Sequence, residues 1–217
     1  MSFSIDNALK QVKKVVIGKD IPVISQFADD KKTAYELLIA TILSLRTKDK
    51  TTEKAAKRLF VHEHTPQRMI LLSDSTIERL IYPVGFYKRK ARTIKQISHI
   101  LIKKYHGTVP QSFNALLSLP GVGRKTANLV RIEAFKKPGI CVDTHVHRIS
   151  NRWGYVSTKH PEETENVLRS ILPRKHWLSY NKLLVAFGQT VCTPVRPYCS
   201  ICPLTKVCPK HGVSVRR

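Results

Sequence analysis

The chain has 217 residues, enough for one large domain or two small ones with a proper hydrophobic core. Its 38 lysines and arginines stand against 15 acids, a formal net charge of +23 that is too far from zero to serve solubility alone. The charge is spread along the chain rather than gathered in a tail, which points to a folded face for a polyanion, DNA or RNA first; with no long apolar segment and no lipidation motif, an anionic membrane surface is disfavoured.

The N-terminal stretch, residues 1–20, carries Asp6 and Asp20 and lacks the apolar centre of a secretory signal. Four of the five cysteines fall between Cys192 and Cys208, which does not suit a secreted disulfide scaffold. The expected location is therefore intracellular: cytoplasmic, and on the nucleoid if the source is a prokaryote.

Ile5, Leu9, Val12 and Val16 lie on one helical face over residues 4–16. Residues 19–32 read as irregular and polar. Residues 33–46 are apolar almost all round, which predicts a buried helix through the middle of a bundle. Asp49 is placed to cap a helix over residues 50–60. Thr65-Pro66 reads as a cap with proline at the first helical position, starting a short helix to Leu72. Ser75 and Glu78 have capping-box spacing ahead of another. Gly85-Phe86-Tyr87 turns the chain into a long basic helix over residues 88–105, which Gly107 and Pro110 end, and residues 111–117 form one more.

The next stretch is Leu119-Pro120-Gly121-Val122-Gly123-Arg124-Lys125-Thr126-Ala127. Two glycines one residue apart predict a tight turn with positive φ and bare backbone amides. The helix expected over residues 124–135 sets those amides at its positive end, a ready anion site with Lys125 at its mouth. An ordinary glycine-rich helix start with a solvated lysine is the competing explanation. Residues 136–139 read as a hinge, Ile140-Cys141-Val142 as a short apolar run, and Asp143-Thr144 as the start of a helix to Trp153. Residues 161–172 and 175–191 predict two more helices. No stretch alternates with β-branched enrichment, so the fold is expected to be all-α, with about ten short helices.

Cys192, Cys199, Cys202 and Cys208 are spaced C-x6-C-x2-C-x5-C, close enough for four thiolates to reach one metal centre. Structural zinc more often uses two close pairs far apart, and an iron–sulfur cubane tolerates uneven loops, but the common ferredoxin spacings do not match either. Chemistry alone leaves zinc and a cluster open. Arg196 lies inside the six-residue loop, with Lys206 and Lys210 nearby, so a metal staple positioning a DNA-binding loop is one reading and plain solvation of a C-terminal subdomain the other.

Taken together these pieces resemble the endonuclease III family of helix-hairpin-helix DNA glycosylases and apurinic/apyrimidinic lyases. The resemblance rests on the residue 119–127 motif, on Val142-Asp143-Thr144-His145-Val146 after it, and on the cysteine spacing. Weaker matches are Leu38-Ile39-Ala40 through Asp49, Gly85-Phe86-Tyr87 and Lys104-Tyr105-His106-Gly107. It implies two helical domains flanking a DNA-binding cleft: residues 22–133 with the hairpin, and residues 1–21 plus 134–217 holding a 4Fe–4S cluster on Cys192, Cys199, Cys202 and Cys208. Cys141 falls outside that spacing and is expected to be a buried apolar residue.

The matching positions make Lys125 the nucleophile and Asp143 its carboxylate partner, with Gly121, Val122, Gly123 and Arg124 gripping the DNA strand. An extruded nucleotide exposes C1′, a carboxylate stabilises the oxocarbenium character of the breaking glycosidic bond, and a lysine Schiff base explains both base removal and nicking. Asp143 is equally a natural helix cap, and both roles are compatible. Arg46 stands where many family members have a glutamine that fills the gap left by the flipped nucleotide, and Leu45 beside it is more apolar than usual. Phe86 matches an apolar wedge position; a buried turn aromatic is its plainer reading. The expected activity is a bifunctional glycosylase and β-lyase acting as a monomer on oxidised pyrimidines and abasic sites in double-stranded DNA. A monofunctional mismatch glycosylase of the same superfamily and a non-catalytic DNA-binding module with a zinc staple are the rivals.

Overall fold

The computed structural model describes residues 3–18 and 22–217. Among these residues it is all-α, with twelve α-helices, one short 3-10 helix and no strand. In chain order the helices are α1 (Ile5–Val16), α2 (Val23–Asp29), α3 (Ala34–Ser44), α4 (Asp49–His62), α5 (Pro66–Met69), α6 (Asp74–Ile81), α7 (Tyr87–Tyr105), α8 (Phe113–Leu117), α9 (Arg124–Phe135), α10 (Thr144–Arg152), α11 (Pro161–Ile171) and α12 (Tyr180–Thr190). None of the described helices is long and apolar enough to cross a membrane. The chain forms two compact units, Val23–Lys137 and Met1–Pro22 with Pro138–Arg217.

The Val23–Lys137 unit is built on α3. Every residue from Tyr35 to Leu43 is buried, as an all-round apolar helix requires. Thr33 starts it with a reciprocal capping box: its Oγ1 accepts from the Glu36 amide at 3.2 Å, and the Glu36 carboxylate accepts from the Thr33 amide at 2.8 Å. α3 packs against α9, α4 and α7. Inside this core the Tyr35 hydroxyl lies 2.6 Å from Ser98 Oγ and Ser25 Oγ donates to Glu133 Oε1 at 2.5 Å, while the buried Thr52 Oγ1 has no partner.

The other unit packs α1 and α10 on α12 around Leu9, Val12, Val146, Ile149, Trp153, Leu184 and Phe187. Ser150 Oγ lies 2.9 Å from the buried Tyr180 hydroxyl, tying α10 to α12. The Trp153 and Phe187 rings tilt against each other with centroids 6.3 Å apart.

Several expected boundaries move, each for a local reason. Of residues 19–32, read as irregular, 19–21 lie outside the described residues, and α2 occupies Val23–Asp29 with Val23, Ile24 and Phe27 buried. Asp49 is the first residue of α4, not its cap; Lys48 takes the cap position without a side-chain bond, and the acid sits in the first turn, where it complements the helix dipole. α6 begins two residues earlier than Ser75 suggested, because Ser73 Oγ accepts from the Thr76 amide at 3.1 Å. α5 stops at Met69 rather than Leu72. The helix expected over residues 175–191 is broken: a 3-10 turn at Arg174–His176 precedes α12. Between them Trp177 folds inward, its Nε1 donating to the Leu172 carbonyl at 2.9 Å, and this anchor overrides the helical pattern.

Candidate functional site

In the hairpin, α8 and α9 are joined by residues 118–123. Leu119 and Val122 are buried and root the turn in the core, while Gly121 and Gly123 face out. Only Gly121 has positive φ, at +73°, and a Cβ there would meet Thr93 Cγ2 at 3.0 Å. Gly123, expected to share that conformation, is extended at φ −94° and ψ 179° and serves as the N-cap of α9 with no side-chain cap bond. A Cβ on Gly123 would meet nothing within 4 Å, so the glycine keeps the helix start bare rather than permitting a strained turn. Arg124 lays its guanidinium over the Phe113 ring at 5.3 Å, clasping the two helices together. Lys125 is exposed on the first turn of α9, while Thr126 and Ala127 beyond it are buried.

The same unit brings Arg46 and Phe86 together. Both are exposed, both are held in the left-handed region (φ 53° and 58°), and the guanidinium lies 5.9 Å from the ring centroid. Phe86 is 62% exposed, so it is no buried turn aromatic. Phe86 is thus a large apolar side chain left in water, in a backbone conformation that disfavours it.

Asp143 belongs to the other unit and caps α10: its Oδ1 accepts from the His145 and Val146 amides, each at 2.9 Å. Both cap bonds go to one oxygen, and Oδ2 takes no part in the cap. Capping fixes the carboxylate orientation without consuming it.

Cys192, Cys199, Cys202 and Cys208 all line one small pocket, together with Trp153, Phe187, Val191 and Arg152. Burial, reinforced by the neighbouring thiols, pushes the Cys202 thiol up to about 11, and Cys208 is raised for the same reason. Such a site disfavours thiolates unless positive charge offsets them, which is the condition a thiolate-bound metal centre meets. Among the described residues no three His, Cys, Asp or Glu side chains are gathered tightly enough to grip one ion. Cys141 is 1% exposed in the core. Arg196 is exposed, with φ 50°, on the loop between the first two cavity cysteines.

Sequence reasoning missed two buried cations that hold these features. Arg152 donates to the Thr193 and Pro194 carbonyls at 2.7 Å each and to Cys192 Sγ at 3.4 Å, fixing the start of the Arg196 loop. Lys90 is only 7% exposed beneath Arg46 and Phe86. Lys90 shares a helical face with Ile94 and Ile97, and Arg152 with Ile149, but among 38 basic residues that signal does not separate them from surface charge.

A hairpin with an uncapped, glycine-led helix start, carried in an all-α chain, defines a class, and residues 39–174 match the HhH-GPD superfamily base excision DNA repair protein family. The chain belongs to that superfamily and, within it, to the endonuclease III family. It is 47% identical over 188 residues to endonuclease III of Thermotoga maritima, covering 86% of this chain and 88% of that one. It is 43% identical over 222 residues to the chloroplastic endonuclease III homolog 2 of Arabidopsis thaliana, covering 94% of this chain but spanning only 57% of that longer protein. Its fold superposes with a TM-score of 0.85 on a trapped endonuclease III–DNA covalent intermediate, an estranged-adenine complex, at 36% identity and over 95% of this chain and 94% of that one.

Proposed function

We propose that the chain is a bifunctional DNA glycosylase and apurinic/apyrimidinic lyase of base excision repair. In this reading it removes oxidised pyrimidines from double-stranded DNA and nicks 3′ to abasic sites. The observation that carries it is Lys125, exposed on the first turn of the hairpin's second helix in a chain 36% identical to an endonuclease III caught in a covalent bond with DNA.

The chemistry follows from the groups available. The Lys125 amine bonds to C1′ as the glycosidic C1′–N bond breaks, and the base departs with that electron pair. The Asp143 carboxylate stabilises the positive charge that develops on the sugar. Ring opening gives an iminium, which acidifies the C2′ proton; its removal cleaves the C3′–O bond and expels the 3′ phosphate. Water then hydrolyses the imine and frees the lysine.

The backbone of Gly121, Val122 and Gly123, with Arg124, grips the strand, a contact that positions the enzyme without reading sequence. Arg46 and Phe86 occupy the space left by the extruded nucleotide, the arginine facing the orphaned base. Arg196 adds a phosphate contact from the cysteine loop. Residues 22–133 and residues 1–21 with 134–217 act as the two domains, and the enzyme works as a monomer in the cytoplasm.

Cys192, Cys199, Cys202 and Cys208 hold a 4Fe–4S cluster in this reading. Support comes from the all-thiol donor set and the pocket that all four cysteines line. The cluster's role is to staple the C-terminal loop and its arginine in place. Incubation with lesion-containing duplexes under borohydride tests the proposal: wild type gives a covalent adduct and Lys125→Gln gives none. Base release without any adduct overturns the lysine mechanism.

A further inference from the structure

We propose that Lys90 is the positioning residue that sets the Arg46–Phe86 pair for strand opening, by latching the two loops that carry them into one rigid element. The proposal rests on the DNA-repair reading above.

The latch is visible atom by atom. Lys90 lies on the first turn of α7, four residues after Phe86, and its ammonium is buried under the C-terminal end of α3. There Nζ donates to the Leu43 carbonyl at 2.8 Å, to the Leu45 carbonyl at 2.6 Å and to Thr47 Oγ1 at 3.2 Å. Three donors meet three neutral acceptors, two of them carbonyls at the end of a helix, where a cation is favoured. Burying an ammonium is costly, and burial pushes this one down to about 8. The oxygen cage offsets that cost, and what it encloses is the segment from Leu43 to Thr47, with Arg46 turned outward.

A second set of contacts closes the other side. Thr47 Oγ1 also accepts from the Gly85 amide at 3.2 Å, so one hydroxyl joins the Arg46 loop to the residue before Phe86. A Cβ on Gly85 would lie 2.8 Å from the Arg46 carbonyl oxygen, so the two backbones touch at a distance only glycine permits. Arg46 and Phe86 are thus splayed from a single junction, each in a left-handed conformation that a loose loop would relax. The pair's spacing of 5.9 Å between guanidinium carbon and ring centroid is a property of the latch, not of the loops separately. Preorganisation of this kind matters because a displacement of about 1 Å can cost about 100-fold in rate.

The role is read with Lys90→Met and Thr47→Val, the second removing only the bridging hydroxyl at a half-buried site and so leaving the core intact. Amide hydrogen exchange in the free protein is expected to rise at residues 43–47 and 84–87 in both variants, with the α9 core unchanged. Single-turnover nicking at an abasic site opposite a base is expected to fall about 10- to 100-fold in Lys90→Met. A bulged abasic site with nothing opposite needs no filler, so the loss there is expected to shrink to within about threefold. In an Arg46→Ala/Phe86→Ala background, Lys90→Met adds nothing further. Equal losses on both substrates, a full Lys90 penalty persisting without the pair, or unchanged exchange at the two loops each overturn the proposal. A wild-type chain that never yields a borohydride adduct overturns instead the reading beneath it.

Discussion

The two motif glycines allow a single substitution to separate conformation from access. Gly121→Ala forces an L side chain into φ +73°, which costs about 1 to 2 kcal/mol, and its Cβ must also push Thr93 Cγ2 back from 3.0 Å. For a chain of this size that lowers Tm by roughly 2 to 8 °C. Gly123→Ala meets neither problem: φ is −94° and no atom lies within 4 Å of the added carbon. Replacing glycine by alanine at the N-cap costs about 0.5 to 1 kcal/mol, and the reduced freedom of the unfolded chain offsets about as much. The net change should fall within about 0.5 kcal/mol. Affinity behaves differently, because the new methyl at position 123 shields the bare start of α9. Thermal melts, paired with fluorescence anisotropy on a duplex holding an uncleavable abasic analogue, read both quantities. Gly121→Ala should lose stability and affinity together, and Gly123→Ala should lose affinity alone. Equal destabilisation by the two variants, or full affinity in Gly123→Ala, would refute the assignment of the turn to Gly121 and of strand contact to Gly123.

Acid sensitivity should trace in part to Glu36. Burial alone would raise its pKa, but hydrogen bonds from Thr33 and Lys32 outweigh it and leave the carboxyl below its usual range. Because the folded value is depressed, the stability it contributes is complete above the ordinary carboxylate value and is lost as pH falls through the lowered one. The gap in Tm between wild type and Glu36→Gln should narrow from about pH 6 to about pH 3, and a constant gap would contradict this. At the cysteine cavity, protein purified without oxygen should be brown and carry about four irons per chain. Cys202→Ser should lose iron and melt earlier, Cys141→Ala should keep its iron, and a colourless zinc protein would overturn the cluster.

Legibility followed the physics of each segment. α9 is found at the predicted limits because glycine at its start and the Lys136-Lys137-Pro138-Gly139 hinge after its end are local signals. α3 was equally plain, since a stretch apolar on all sides has one stable place to go. α2 was passed over although Val23, Ile24 and Phe27 make a helical stripe, because polar neighbours on both sides diluted the pattern. The break before α12 could not be read locally: it depends on Trp177 reaching the Leu172 carbonyl and lying under Arg169 and Arg174. Gly123 misled because glycine has two uses, positive φ and the absence of a side chain, and the sequence does not say which. Lys90 and Arg152 read as surface charge in a chain with 38 basic residues, and only their partners reveal them as internal fasteners. The candidate chemistry at Lys125 and Asp143 was visible early because its residues sit in short contiguous motifs.

The most direct test of the central claim is to reduce the reaction mixture with borohydride on a duplex carrying an oxidised pyrimidine, digest the adduct, and sequence the modified peptide by mass spectrometry. The account predicts a single deoxyribose-derived adduct on Lys125, absent from Lys125→Gln and still formed, more slowly, in Asp143→Asn. An adduct on a different amine, or base release with no adduct at all, would contradict it.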